Sequence, residues 1–192
     1  MWKDSLETIL EQVRQNRISV ENGCDQILAS ISGSLGFAEV DVARSLRTGF
    51  PEVIYCANKT DEEIVGITKV LTQKNPVILL TRARKTTFKL LEKDYEDTEY
   101  FERSGAITIG KIPEGIGLVT VVSAGTSDIP VAEEAAVTAR MMGAAVEQFW
   151  DIGVAGLHRL LSKLELLRKS RVVIAVAGME GALPGVLAGL IS

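Results

Sequence analysis

Residues 119–130, Val-Thr-Val-Val-Ser-Ala-Gly-Thr-Ser-Asp-Ile-Pro, constrain the fold more than any other stretch. The run opens apolar and β-branched, which suits a strand buried on both faces of a parallel sheet. Small and polar residues follow, Ser123 to Asp128, and then an Ala-rich helical pattern over 131–142 that Gly143 closes. Pro130 lies near the helix start, where its missing N–H is no loss. Glu133 and Glu134 are expected in the first turn, where the helix dipole favours acids. A strand that passes through a polar loop into a helix presents backbone N–H groups and a positive dipole end, a common seat for phosphate or carboxylate.

The same unit recurs twice. Residues 143–151 read as a weaker strand leading to the loop 152–156 and a helix over 157–167. Residues 171–177 are the clearest buried strand, followed by Gly178-Met179-Glu180-Gly181-Ala182 and an apolar helix from Leu183-Pro184. Strands alternating with helices imply parallel units in an α/β protein, with ligands held beyond the carboxyl ends of the strands. The loops 123–128, 152–158 and 177–182 are therefore expected to converge on one edge. The predicted architecture is a three-layer parallel sheet over 116–192, preceded by N-terminal helices over 1–35 and a small α/β domain over 36–112. The sequence stops inside an apolar helix, Leu-Ala-Gly-Leu-Ile-Ser, and three strands make a thin sheet. A C-terminal truncation is expected, with a natural end docked on a partner subunit as the alternative.

Upstream, residues 4–15 read as an amphipathic helix with Leu6, Ile9, Leu10 and Val13 on one face. Residues 19–31 read as a second, capped by Ser19, with Ile27, Leu28 and Ile31 as its buried face. Thr60 and Glu63 have the spacing of a capping box, opening a helix that runs to about Gln73. Residues 53–56, 76–81, 98–100 and 106–109 are strand candidates, and 86–91 fits helix or strand equally.

Several functions have no support. A net charge of −4 and a pI of about 5.2 give nucleic acid nothing to bind. Two cysteines cannot build a disulfide framework, and their use fits a reducing cytosol, so a cytoplasmic protein is expected. No apolar run reaches the ~18 residues of a membrane span, and the N-terminus lacks a signal-peptide core. Dinucleotide, P-loop and zinc motifs (GxGxxG, Walker, HExxH, CxxC) are absent, so no metal ligands are assigned.

The candidate site residues lie in the three loops. Ser123, Gly125, Thr126, Ser127 and Asp128 offer hydroxyls, N–H groups and one carboxylate; Asp128 either positions a base or sugar, or simply caps the helix. Asp151, Val154 and Ala155 belong to the second loop. His158, the single histidine, stands beside Arg159 as a proton carrier and carboxylate binder, or as a polar helix-surface pair. Gly178, Met179, Glu180, Gly181 and Ala182 let a backbone approach a ligand closely around one acid. In the N-terminal part, Arg44, Arg47 and Lys59 are candidates for clamping a phosphate, with ordinary surface roles as the alternative, chiefly for Arg47. Cys24 and Cys56 read as inert thiols.

The segments 124–135, 151–159 and 176–186, together with Phe37 to Asp41, Arg44, Arg47, Gly49 to Val53 and Lys59-Thr60, resemble the LarB family, the pyridinium-3,5-biscarboxylic acid mononucleotide synthases of nickel-pincer cofactor biosynthesis. The C-terminal part is similar, more distantly, to the PurE aminoimidazole ribonucleotide carboxylases. It keeps Ser127-Asp128 and His158-Arg159 but has Ala182 where that family has a histidine. The resemblance implies a PurE-like, flavodoxin-like C-terminal fold. It implies carboxylation of the pyridinium ring of nicotinic acid adenine dinucleotide with CO2 or bicarbonate, and phosphoanhydride hydrolysis that releases AMP. It further implies Mg2+ for the hydrolysis, Asp128, His158 and Arg159 as catalytic groups, a homo-octamer, and a family cysteine thiolate located beyond residue 192. The alternatives are a PurE-type carboxylase and a nucleotide-binding or assembly module without chemistry.

Overall fold

The computed structural model describes residues 2–31, 33–42, 44, 48–112 and 114–191. They divide into two compact units, Met1–Glu52 with Gly66–Asn75, and Val53–Val65 with Pro76–Ser192.

In the first unit, helices α1 (Trp2–Arg14) and α2 (Val20–Ile31) pack together, and a short antiparallel pair follows, β1 (Gly33–Ser34) and β2 (Glu39–Val40). The expected cap is present, with the Asn22 N–H donating to Ser19 Oγ at 3.1 Å. The helices close on each other at Gly23, where a Cβ would stand 2.6 Å from Val13 Cγ2. Leu10 does not join the buried stripe: it is exposed, whereas Leu6, Ile9 and Val13 are half-buried. It lies about 100° around the helix from Ile9, and α2 leans on the Ile9–Val13 side. The side chains of Leu28 and Ile31 lie outside the described residues.

The second unit contains two sheets. Strands β3 (Val53–Tyr55) and β4 (Ile78–Thr81) are parallel and joined through α3 (Asp61–Thr72). The capping box of α3 is formed from both sides: the Thr60 N–H donates to Glu63 Oε2 at 2.8 Å and the Glu63 N–H to Thr60 Oγ1 at 3.2 Å, worth about 1 kcal/mol. The ambiguous stretch is helix, α4 (Lys85–Leu91), which stacks Phe88 on Tyr100 with ring centroids 5.3 Å apart. β5 (Thr98–Phe101) and β6 (Ala106–Ile109) complete a mixed sheet in the order β3-β4-β6-β5, with antiparallel β4–β6 and β6–β5 pairs.

The other sheet is parallel throughout: β8 (Ala145–Phe149), β7 (Leu118–Ser123), β9 (Val172–Val176) in that spatial order. Helix α5 (Ile129–Met141) lays Ala132 and Ala136 against Val121 on one face. Helices α6 (Leu157–Leu161), α7 (Leu164–Lys169) and α8 (Ala182–Leu190) cover the opposite face, with Leu160, Leu167, Leu183 and Leu187 around Val122. α5 is shared, since its Val137 packs with Leu79 and Ala106 of the mixed sheet. Its apolar residues are not confined to one stripe, as burial on two sides requires.

Two expectations about helices need correction. α5 begins at Ile129 behind a 3-10 turn over Thr126–Asp128, so Glu133 and Glu134 sit one turn inside the helix. They meet partners there instead of the dipole end: Glu133 Oε2 accepts the Ser104 N–H at 2.8 Å, and Glu134 pairs with Arg82. The predicted helix over 157–167 is broken into α6 and α7. Ser162 Oγ bonds the Arg159 carbonyl at 2.7 Å, a side-chain bond that competes with helix continuation.

The fold is thus α/β with one mixed and one parallel sheet and, among the described residues, eight α-helices. None of those helices is long and apolar enough to cross a membrane.

Candidate functional site

The loops that follow β7, β8 and β9 meet in one cleft of about 270 Å3. The first supplies Ala124, Gly125, Ser127 and Asp128, the second Gly153, Val154 and Ala155, and the third Ala177, Gly178, Met179, Glu180, Ala182 and Leu183. Parallel strands create this geometry, because each turn leaves the sheet at the same edge.

The loops are bound to one another by their own polar groups. The Asp128 carboxylate accepts the Gly125 N–H on Oδ2 at 2.9 Å and the Gly178 N–H on Oδ1 at 3.0 Å. It therefore joins the first loop to the third and occupies amides that an anion would otherwise seek. Ser123 is fully buried; its Oγ accepts the Asp151 N–H at 3.0 Å and its carbonyl the Ile152 N–H at 3.0 Å, which ties the first loop to the second. Gly153 passes so close to the first loop that a Cβ there would lie 2.6 Å from the Ala124 carbonyl oxygen.

Other candidates stand apart from the cleft lining. Ser123, Thr126, Asp151, His158, Arg159 and Gly181 are not among its walls. His158 is exposed on α6. The Arg159 guanidinium folds back over Gly156, where a Cβ would meet its Nε at 2.4 Å, and donates from Nη1 to Asp151 Oδ2. The lining thus contains two carboxylates, Asp128 and Glu180, with small and aliphatic groups, and no lysine, arginine or histidine.

Beyond these three loops, the comparison with known families is decisive for the N-terminal part. Residues 32–111 match the family model of the LarB/PurE-like N-terminal domain. The chain thus carries a domain of that family, and the match ends before the first cleft loop begins. An uncharacterized protein of Methanocaldococcus jannaschii is 39% identical over 163 residues, which are 80% of this chain and 64% of that protein. The chain therefore spans less than two thirds of that relative's length.

Within the LarB/PurE-like domain, Arg44 pairs with Glu52 at 3.3 Å, and Arg47 lies outside the described residues. Lys59 donates to the Tyr55 carbonyl at 3.0 Å. Sequence reasoning passed over Arg82, Arg84 and Asp61. Arg84 Nη2 donates to Asp61 Oδ1 at 2.8 Å and to the Lys59 carbonyl at 3.3 Å, while Thr87 Oγ1 donates to the same carboxylate oxygen at 2.5 Å. The Thr87 hydroxyl first, and then Arg84, hold the Asp61 carboxyl below its usual range. Arg84 and Asp61 are 23 residues apart, so no local motif announces the pair.

Burial pushes the Cys56 thiol up to about 12, and Lys59 and Arg84 only partly oppose it. Cys24 is exposed in the first unit. Since the thiolate is the reactive form, a disulfide reagent at mildly alkaline pH is expected to titrate Cys24 in the folded protein and Cys56 only after denaturation. Rapid labelling of both thiols in the native state would overturn this reading.

No described residue is assigned to Mg2+, which is commonly held by one or two carboxylates together with substrate phosphates. Among the described residues no three His, Cys, Asp or Glu side chains stand together, and both Asp128 oxygens already accept N–H bonds.

Proposed function

We propose that the chain serves LarB-type chemistry, in which the pyridinium ring of nicotinic acid adenine dinucleotide is carboxylated and its phosphoanhydride is cleaved to release AMP. The observation that carries the reading is the cleft itself: three βα loops meet around small apolar walls and two carboxylates, with no cation in the lining. A pyridinium ring is flat and positively charged. Ala124, Val154, Ala155, Ala177 and Ala182 leave room for its faces, and the carboxylates Asp128 and Glu180 favour its charge over a neutral ring of equal size. The match of residues 32–111 to the LarB/PurE-like domain supports the same family of reactions.

In this reading a thiolate adds to the ring and raises its electron density, and a ring carbon then attacks CO2; that carbon loses its proton to solvent and the C–S bond breaks, which expels the thiolate and restores the pyridinium. Cys56 cannot supply that thiolate from its buried, high-pKa position, and neither cysteine lines the cleft. The residues of this chain bind and orient the ring: Ser123 and Asp128 hold the loops together, and Glu180 faces the ring's charge. The PurE reaction is the weaker reading, because Ala182 offers no imidazole on the cleft wall. Arg159, engaged with Asp151, is not assigned to CO2.

Saturation-transfer NMR tests the assignment. Irradiating the methyl groups of the protein in the presence of nicotinic acid adenine dinucleotide should transfer magnetisation to the nicotinate ring protons. Transfer confined to the adenine protons, or none, would remove the assignment. With bicarbonate and magnesium added, this chain alone should bind without forming carboxylated product; product would mean that the thiolate requirement is wrong.

A further inference from the structure

The cleft lining carries no cation to meet a nucleotide's negative charge, and another pair of strand-end loops in the same unit carries two. β3 and β4 are also a parallel pair, with Tyr55 in register with Thr81. Beyond their carboxyl ends lie Lys59 and Arg82. The Arg82 guanidinium sits 5.6 Å from the centre of the exposed Tyr55 ring, and Lys59 Nζ holds the Tyr55 carbonyl, so one residue supports both cations.

Arg82 also binds this group to the helix that carries the first cleft loop. Its Nε reaches Glu134 Oε2 at 3.4 Å, and Glu134 is six residues past Asp128, about 9 Å along the axis of α5. That ion pair is long and half-exposed, so it orients the guanidinium while holding it weakly. Both terminal nitrogens of Arg82 are without a partner among the described residues, and Lys59 has spent one of three donors. Unused forked donors and an ammonium, both held by Tyr55, suit phosphate oxygens.

The backbone marks the same edge. Among the described residues five non-glycines have positive φ, and four of them follow the carboxyl ends of parallel strands: Asn58 (+65°) after β3, Arg82 (+54°) after β4, Asp151 (+57°) after β8 and Met179 (+46°) after β9. Such conformations cost energy and persist where a site needs them. The β3–β4 pair and the β8-β7-β9 sheet therefore both carry strained loops beyond their carboxyl ends.

We infer that Arg82 and Lys59, supported on Tyr55, form an anion subsite for the phosphate groups of the nucleotide whose ring the cleft takes. The identity of the nucleotide rests on the proposed function; the anion subsite does not.

The test uses inorganic pyrophosphate and nicotinic acid riboside, which has the ring and no phosphate. In 15N-detected titrations of the whole chain, pyrophosphate should shift the Arg82 Nε–H signal saturably. Arg82→Gln should weaken pyrophosphate about tenfold or more and leave the riboside unchanged. Lys59→Gln, in a separate loop, should weaken pyrophosphate severalfold and covers the case in which Arg82→Gln fails to fold. Pyrophosphate binding that both variants leave intact, or no saturable shift in the parent protein, would overturn the subsite. Pyrophosphate bound through Arg82 with no riboside binding would keep the subsite and remove the cleft reading. Riboside bound with no pyrophosphate response would do the reverse.

Discussion

Gly153→Ala should be among the most damaging single-methyl changes in the cleft. The φ of −65° at Gly153 suits any residue, so the objection is space alone. An added Cβ would stand 2.6 Å from the Ala124 carbonyl oxygen and 3.2 Å from its carbon. Both are backbone atoms, and neither can swing aside. Ala124 is itself held, its N–H donating to the Val176 carbonyl at 2.9 Å, and the neighbouring Ile152 N–H donates to the Ser123 carbonyl. The methyl group must therefore part the first and second loops. Overpacking of this kind costs about 3 kcal/mol, or about 6–12 °C in Tm for a chain of this size, and the ring should no longer bind. Gly185→Ala is the control. It lies in α8 with nothing within 4 Å of the new Cβ, so it should be neutral or stabilise by up to ~1 kcal/mol. Equal melting temperatures for the two variants would show that the loops do not approach as closely as they do here.

What could be read from the residues follows the range of the forces involved. The β-branched runs of β7 and β9, the Thr60–Glu63 box and the Ser19 cap are local, and each was legible. The convergence of three loops was legible as well, because it follows from parallel pairing alone. The bonds that decide what the loops do are not local. Asp128 meets Gly178 across 50 residues, Asp151 meets Ser123 across 28, and Arg82 meets Glu134 across 52. No spacing rule connects such partners. His158 and Arg159 looked functional because they follow a glycine-flanked loop. One helical step separates their directions, and Asp151, left-handed at +57°, offers its carboxylate to the arginine.

Glu133 and Glu134 show the same limit. As acids near a helix start they read as partners of the dipole. Two residues of extra helix and a 3-10 turn moved them inward, to Ser104 and Arg82 on the mixed sheet. The physical consequence is that α5, whose leading end carries Asp128, is anchored to the LarB/PurE-like domain by two polar contacts in addition to the packing of Val137.

Asp128 itself supplies the second large effect. Asp128→Ala removes the one side chain that, among the described residues, hydrogen-bonds the first loop to the third, leaving the Gly125 and Gly178 N–H groups without their carboxylate. Hydrogen bonds to a charged acceptor contribute about 1.5–3 kcal/mol each, and both sites are partly open to water, so a net loss of about 2 kcal/mol is expected. Asp128→Asn keeps the size and one oxygen, but its amide nitrogen must face one of the two N–H donors. It should therefore keep one bond and lose the other. Amide hydrogen exchange distinguishes the two variants: Gly125 and Gly178 should both lose protection in Asp128→Ala, and one of them in Asp128→Asn. Riboside affinity should fall in the same order, since Gly178, Met179 and Glu180 would no longer be held over the cleft. A group whose sole task was proton transfer would behave differently. Its replacement by Asn would leave stability, both amides and ring affinity unchanged, and that result would rule out the clasp.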